Sequence, residues 1–456
     1  MRFITYLASD YAFLDSSVYT GGGRDDTEAL QALLDRAGEE TGVRLVMDGA
    51  ARVSQLTLNS NTTIECMNAD CGFFQTAGSD CAILTNRVWD MGRRETRNIT
   101  LIGGTYNQNC AHQAHDTPYT KQLIDPVPDG RPEKGEADRH WVFGLEFYGV
   151  ENLTLRDLRM RDFRTFAVTV GGFKHVTIEN VWLDLPGRMQ AQNQDGFHFW
   201  GPGQFLTIRN VGGTVGDDFM NIGPDEHDGA SSITDVLIDG VYLEHADQAL
   251  RLLSRGTGTL DRVTIRNVTG TYRSFGFYIN SWFPGATYGD FKNIFIENVD
   301  LRQEEPNYDY RPPMLFSCGG NIESLTIKNL RHHAPSDNRT LVELGLPFLD
   351  TNWVLPKDNL PKMRSVVIEG LSVLEKDERA ADTEYIQVYA PVDNLVIRDA
   401  VIDRGGLQKS GTLLAFRQTG RVKRLMMNNV FADGLEQLIG DESRVDSLVS
   451  SAVTSE

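Results

Sequence analysis

Three aspartates carry the chemistry this sequence could do. Asp195 stands in Asn193-Gln194-Asp195-Gly196, and the pair Asp217-Asp218 follows Gly216, 22 and 23 residues after Asp195. Carboxyl groups held close together suit acid/base cleavage of a glycosidic bond, where one donates a proton to the leaving oxygen and another takes a proton from water. Like charges that close raise one another's pKa and titrate as a coupled set. Taken singly, Asp-Gly and Gly-Asp are ordinary turn pairs. The chemical reading therefore depends on a fold that stacks these residues.

A repeat supplies that stacking. Two alternating β-formers, a polar residue, Asn/Asp/Gly and an aliphatic recur as Leu153–Leu158, Val176–Val181 and Leu206–Val211. Later copies centre on Gly240, Asn267, Asn298, Asn329, Gly370, Asp399 and Asn429, at steps of 23, 30, 30, 27, 31, 31, 41, 29 and 30 from Asp157. An earlier copy, Ile99–Gly104, places Gly103 54 residues before Asp157, about two coils away. A period near 30 fits a helical array, a leucine-rich repeat or a β-solenoid. Val/Ile/Thr richness and period-2 alternation argue against helices, and the leucine-rich grammar is absent. A right-handed parallel β-helix remains, with coils stacked at about 4.8 Å.

The repeat aligns the coils internally. Gly196–Phe199, Phe219–Ile222, Ala249–Leu252 and Gly276–Ile279 superpose. One column then holds Asp195, Asp218, Gln248 and Phe275, its neighbour Gln194, Asp217, Asp247 and Ser274, and a third His198, Asn221, Arg251 and Tyr278. The three acids fall within one or two rungs.

Length and composition set outer limits. The chain has 456 residues, 40% of them apolar, and a net charge of −19. That charge disfavours nucleic acid and anionic membranes as partners, and no apolar run reaches the length of a membrane span. The first ten residues lack a signal-peptide apolar stretch, so the expectation is a cytoplasmic chain, or a secreted one if a leader was removed. The odd, sparse set Cys66, Cys71, Cys81, Cys110 and Cys318 reads as buried thiols rather than a disulfide framework. One domain, 1–456, is expected, with an N-terminal cap over about 20–40. There, Asp25 and Glu28 have capping-box spacing and Leu30, Leu33, Leu34 and Ala37 make an apolar face. Residues after Asn429 are expected to close the other end. Stretches 107–141, 302–313 and 331–363 break the rhythm and read as loop insertions, the last explaining the 41-residue step.

The Asn193–Gly196 and Gly216–Asp218 motifs resemble those of the polygalacturonase family of glycoside hydrolases, family 28, which carries an Asn-Thr-Asp motif and then an Asp-Asp pair on a right-handed parallel β-helix. The segment Asp25–Gln31 is similar to the start of pectin-active β-helix proteins. The resemblance implies single-displacement hydrolysis with inversion, Asp217 as general acid, Asp195 and Asp218 activating water, and no metal or organic cofactor. Two departures bear on substrate. Asp247-Gln248-Ala249 stands where the family has Gly-His-Gly, and Tyr278 and Asn280 stand where its Arg-Ile-Lys would bind a uronate carboxylate.

The expected substrate is therefore a poly- or oligosaccharide other than plain polygalacturonate, with Asn193, His198, Asp247, Gln248, Arg251, Tyr278, Asn280 and Trp282 as contacts. Tyr278 and Trp282 would pack on a sugar and Asn280 would meet a hydroxyl. Arg251 leaves room for an acidic group. His198 reads equally as a ladder residue, and His245 as a turn residue. His112 and His115 form an HxxH that suits a metal clip but fits a polar loop better. The tyrosines of 302–313 and Trp353 could wall a groove. The alternatives are a polysaccharide lyase, an intramolecular glycosyl (fructo)transferase, or a non-catalytic, tailspike-like glycan binder. A homo-oligomer is compatible with the sequence.

Overall fold

A computed structural model describes residues 2–113, 142–186, 193–254, 256–281, 288–305, 313–333, 340–346, 358–376 and 382–455. The chain forms two compact units, residues 1–220 and 221–456. Each is a run of short strands paired in parallel with the coil before and the coil after, the architecture of a parallel β-helix.

In the first unit, the inward positions of the repeat phrase stack as Ile64, Leu101, Leu155, Ile178 and Ile208 in consecutive rungs. In the second, Ile238, Ile265, Ile296, Ile327, Ile368, Ile397 and Met427 do the same. These side chains are buried, and each contributes about 1.5–3 kcal/mol on leaving water. The alternate positions along the same strands point outward, so period 2 separates core from surface.

The Asn/Asp/Gly of the phrase has a conformational cause. Gly103, Asp157, Asn180, Asn210, Gly240, Asn267, Asn298, Asn329, Gly370, Asp399 and Asn429 all have positive φ. Each bends its strand, or follows the strand's last residue, with a left-handed conformation that Gly, Asn and Asp adopt most cheaply. Where asparagines meet, their amides bond along the stack: Asn298 Nδ2 donates to Asn267 Oδ1 and Asn329 Nδ2 to Asn298 Oδ1, both at 2.9 Å.

Four expectations change. Ile99, Thr100 and Leu101 pair directly with Leu153, Thr154 and Leu155, so the 54-residue step is one coil, not two. Part of its surplus, 114–141, lies outside the described residues. The stretch 331–363 is not only an insertion, because Val342–Leu344 pairs with both Phe316–Cys318 and Ile386–Val388. The N-terminal helix spans Thr27–Leu34 and buries Leu30, Leu33 and Leu34, but its N-cap is Asp26. Asp25 instead bridges to Arg52 and accepts the amide of Thr27 at 2.9 Å, so the Asp25–Glu28 capping box does not form. The last strand, Val445–Ser455, pairs with Arg421–Asp433 and is mostly exposed; it continues the coil instead of capping it.

The five thiols are free, and four are buried. Burial pushes Cys66 and Cys110 up to about 12, which keeps them protonated and inert.

Candidate active site

The strand Phe197–Thr214 begins immediately after Asp195-Gly196. The amides of Gly196 and Phe197 donate to the carbonyls of Asp218 and Phe219 at 2.9 and 3.0 Å. In the other direction, Ala167 and Val168 donate to Asp195 and Gly196. Asp218 therefore lies one rung from Asp195, as the repeat register requires. The amide of Asp217 bonds to the carbonyl of Gln194 at 3.2 Å, which seats it beside the same turn.

One oxygen from each of Asp195, Asp217 and Asp218 lies within 4.8 Å of the other two. Asp195 and Asp218 are 2% and 1% exposed, and Asp217 is 8% exposed. Asp217 is the most accessible of three buried acids. Three such oxygens could also coordinate a cation, since hard cations take carboxylate oxygens.

The turn is built to bring the acids together. Asn193 has φ +59, a conformation asparagine tolerates well. Gly196 leaves room for the next coil: a Cβ there would lie 2.4 Å from the carbonyl oxygen of Phe219 and 2.5 Å from Leu183 Cδ1. Gln194 is buried and donates to the carbonyl of Phe163 at 2.9 Å and to Cys110 Sγ at 3.6 Å.

His198 is 2% exposed. Its Nδ1 is 2.9 Å from Asp195 Oδ2, so an Nδ1–H donates to the carboxylate. Its ring stacks on Phe166 at 4.1 Å and meets the edge of Trp200 at 5.3 Å. Held this way, it orients Asp195 and offers little surface to a sugar.

Sequence reasoning missed the surrounding aromatic wall. Phe143 stacks on Phe166, Tyr148 on Trp200, and half-exposed Trp89 meets Tyr148 edge-on at 5.0 Å. Glu146 also escaped notice. It occupies the His198 column two rungs earlier, through Thr169, and burial pushes its carboxyl up to about 7, against a hydrogen bond from Tyr148. Extending the repeat register back from His198 would have found it. The scattered aromatics had no such signal.

In the second unit, Gln248 pairs with Phe275 and Arg251 with Tyr278, as the register requires. Asp247 is fully buried and accepts a 2.6 Å bond from Ser274 Oγ. Burial pushes its carboxyl up, while the charges of Arg273 and Arg251 pull it down. Gln248 is also buried, and Arg251 is half-buried.

Two expected contacts change role. Tyr278 is wholly buried, its ring 5.1 Å from Phe275 in a cluster with Met314, which leaves no face for a sugar. Asn280 is wholly buried too. Its Nδ2 donates to the carbonyl of Leu346 at 3.2 Å, and its Oδ1 accepts the amide of Ser281 at 2.9 Å, so its amide serves the backbone.

His245 is exposed, with Nδ1 2.6 Å from Glu304 Oε2. Trp282, His115, Tyr308, Tyr310 and Trp353 lie outside the described residues. No described helix is long and apolar enough to cross a membrane.

No family model matches the chain. A polygalacturonase of Medicago sativa is 31% identical over 166 residues, 34% of this chain and 36% of that protein; the match thus spans about a third of the relative's length. Among solved structures, the A-module of the mannuronan C-5 epimerase AlgE6 of Azotobacter vinelandii superposes with a TM-score of 0.53 at 12% identity, covering 99% of each chain. The family 28 exopolygalacturonase of Yersinia enterocolitica gives a TM-score of 0.49 at 12% identity, over 98% of this chain and 78% of that one. The chain thus shares a parallel β-helix fold with the AlgE6 A-module, and about a third of it is similar to a polygalacturonase.

Proposed function

We propose that this protein is a glycoside hydrolase that cleaves a poly- or oligosaccharide by acid/base catalysis with inversion. The observation that carries the reading is the convergence of Asp195, Asp217 and Asp218, with one oxygen of each within 4.8 Å of the others. Asp217, the most accessible of the three, donates the proton to the leaving oxygen. Asp195, oriented by His198, and Asp218 take the proton of the attacking water. The water oxygen bonds to the anomeric carbon as the carbon–oxygen bond to the leaving group breaks. The leaving oxygen departs with the proton of Asp217. No metal enters this scheme.

Plain polygalacturonate is not the proposed substrate. The family's uronate-binding Arg and Lys are replaced by Tyr278 and Asn280, and neither side chain is exposed. Trp89, the exposed member of the aromatic wall near His198, suits the apolar face of a neutral sugar.

The test is a glycan screen read by product mass, followed by Asp217→Asn on the best substrate. Loss of several orders of magnitude in kcat, with binding retained, is expected; near wild-type turnover would end the assignment. Product chemistry separates the alternatives: an unsaturated uronide for a lyase, no water oxygen incorporated for a transferase, and no product for a binder. EDTA should leave turnover intact. Carboxyl groups in inverting glycosidases are generally about 6.5–9.5 Å apart, and the oxygens here approach more closely. The anomer of the first product is thus the decisive stereochemical readout. Direct release of the inverted anomer is expected, and a retained anomer overturns the single-displacement step.

A further inference from the structure

Glu146 has no part in the proton transfers of Asp195, Asp217 and Asp218, yet it stands in line with them. In the first unit, Thr57 pairs with Thr85, Thr85 with Glu146, Glu146 with Thr169, and Thr169 with His198. These residues form one outward column, because their neighbours Leu145 and Phe147, Val168 and Val170, and Phe197 and Phe199 fill the core. Two rungs separate Glu146 from His198, ~10 Å at about 4.8 Å per rung. His198 holds Asp195, so the column leads to the acids.

Exposure singles Glu146 out. Thr85, Thr169 and His198 are at most 5% exposed, whereas Glu146 is partly open to solvent. The Tyr148 hydroxyl is its hydrogen-bond donor. Thr169 Oγ1, on the side of His198, is buried and makes no hydrogen bond among the described residues, so it takes up none of the carboxyl's capacity. A carboxylate accepts up to about four hydrogen bonds, and most of that capacity is left open here.

Trp89 is fixed beside the same rung. Its Nε1 donates to Thr85 Oγ1 at 2.9 Å and to the carbonyl of Asn86 at 2.8 Å, and its ring meets that of Tyr148 edge-on. Thr85 is the rung neighbour of Glu146, and Tyr148 is its donor. The indole N–H is already used and the side chain is 55% exposed, so Trp89 offers apolar ring surface to a ligand. Apolar ring surface next to open acceptors matches a sugar, which has a C–H face and an edge of hydroxyls. Thr85, Tyr148 and Thr169, which join the pair, carry no positive charge.

We infer that Glu146 is a specificity-determining residue, its carboxyl group accepting neighbouring hydroxyls of a neutral sugar whose apolar face rests on Trp89. A uronate is rejected at the same place, because two carboxylates would meet there with no cation between them. The inference rests on the hydrolase reading for its choice of a sugar. It goes further in naming the side chain that selects against charge, two rungs from His198.

The test compares sugars that differ only at C6. Glucose, galactose, mannose and the three corresponding uronates are titrated by ligand-observed NMR at pH 8 into wild type, Glu146→Gln, Glu146→Ala and Trp89→Ala, each checked for cooperative melting. At that pH the carboxyl, pushed up to about 7 by burial, is ionised. At least one neutral sugar should bind wild type about tenfold more tightly than its uronate. Glu146→Ala and Trp89→Ala should each weaken that sugar by roughly tenfold, the scale of a hydrogen bond to a charged group or of an aromatic contact. Glu146→Gln, which keeps an acceptor and loses the charge, should retain part of the neutral binding and bring the uronate to within about threefold of it; this variant carries the test if Glu146→Ala does not fold. No binding of a neutral sugar, binding unchanged by substitution of Glu146, or a uronate bound as well as its neutral counterpart by wild type overturns the inference. A chain that binds a neutral sugar through Glu146 but hydrolyses nothing keeps this contact and loses the hydrolase reading. Hydrolysis indifferent to Glu146 keeps only the hydrolase.

Discussion

Asp195 Oδ2 and His198 Nδ1 lie 2.9 Å apart, both side chains almost fully buried and the imidazole stacked on Phe166. Only two residues separate them, on the turn and first strand positions of a single coil. A donor to the ionised form of a carboxylate favours that form, so His198 is a positioning residue for the group proposed to activate water. His198→Ala should lower kcat by roughly 10²-fold, the scale of misplacing a reacting group by about 1 Å. It should also move the acid limb of kcat/KM to higher pH. His198→Gln, which restores a donor, should recover part of both. A pH–rate profile that keeps its acid limb in His198→Ala would remove this role.

Gly196 is the position where a side chain is least tolerable beside the acids. Its added Cβ would sit 2.4 Å from a backbone oxygen of the next coil, which cannot swing aside. Gly196→Ala should cost about 1–3 kcal/mol, the range for overpacking, and should widen the gap between Asp195 and Asp218. A lowered Tm together with a lost kcat is expected. An unchanged Tm would mean that the coils are not packed this closely.

Asn298 separates two contributions to coil stacking. It has φ +57 and makes two ladder bonds, one to Asn267 and one from Asn329. Asn298→Gly loses the exposed ladder bonds and keeps the easy left-handed turn. Asn298→Ala loses both, and a left-handed non-glycine residue costs about 1–2 kcal/mol. Chemical denaturation should rank stability as wild type, then Gly, then Ala. An alanine variant more stable than the glycine one would contradict the turn argument.

Glu146 gives a pH signature. Its carboxyl ordinarily titrates at 4.5 and is pushed up to about 7 by burial. The folded state therefore holds a proton that the unfolded state releases between those values. The stabilisation from this group is fully present below pH 4.5 and is lost as pH rises through about 7. Glu146→Gln should remove that decline and melt higher than wild type at pH 8, with a smaller difference at pH 4. Parallel Tm–pH curves for the two proteins would show that Glu146 does not titrate as described.

The sequence alone carried the fold and the register of the acids. Period-2 alternation set which residues face inward, and the recurring Asn/Asp/Gly marked the left-handed bend of each coil. Counting from those turns was enough to put Asp195 beside Asp218 and Arg251 beside Tyr278, because stacking in a solenoid follows directly from register. Depth and closure were not legible in the same way. Tyr278 and Asn280 occupy outward columns by count, yet neighbouring residues bury them, and burial depends on what packs over a position, not on its parity. The 54-residue step to Asp157 read as two coils because an insertion and a coil add the same length to a chain. The aromatic wall around His198 gathers residues as far apart in sequence as Trp89 and Trp200, from segments with no common phrase. Only the tertiary structure brings those together, since their proximity arises from how the turns between rungs fold back over the stack.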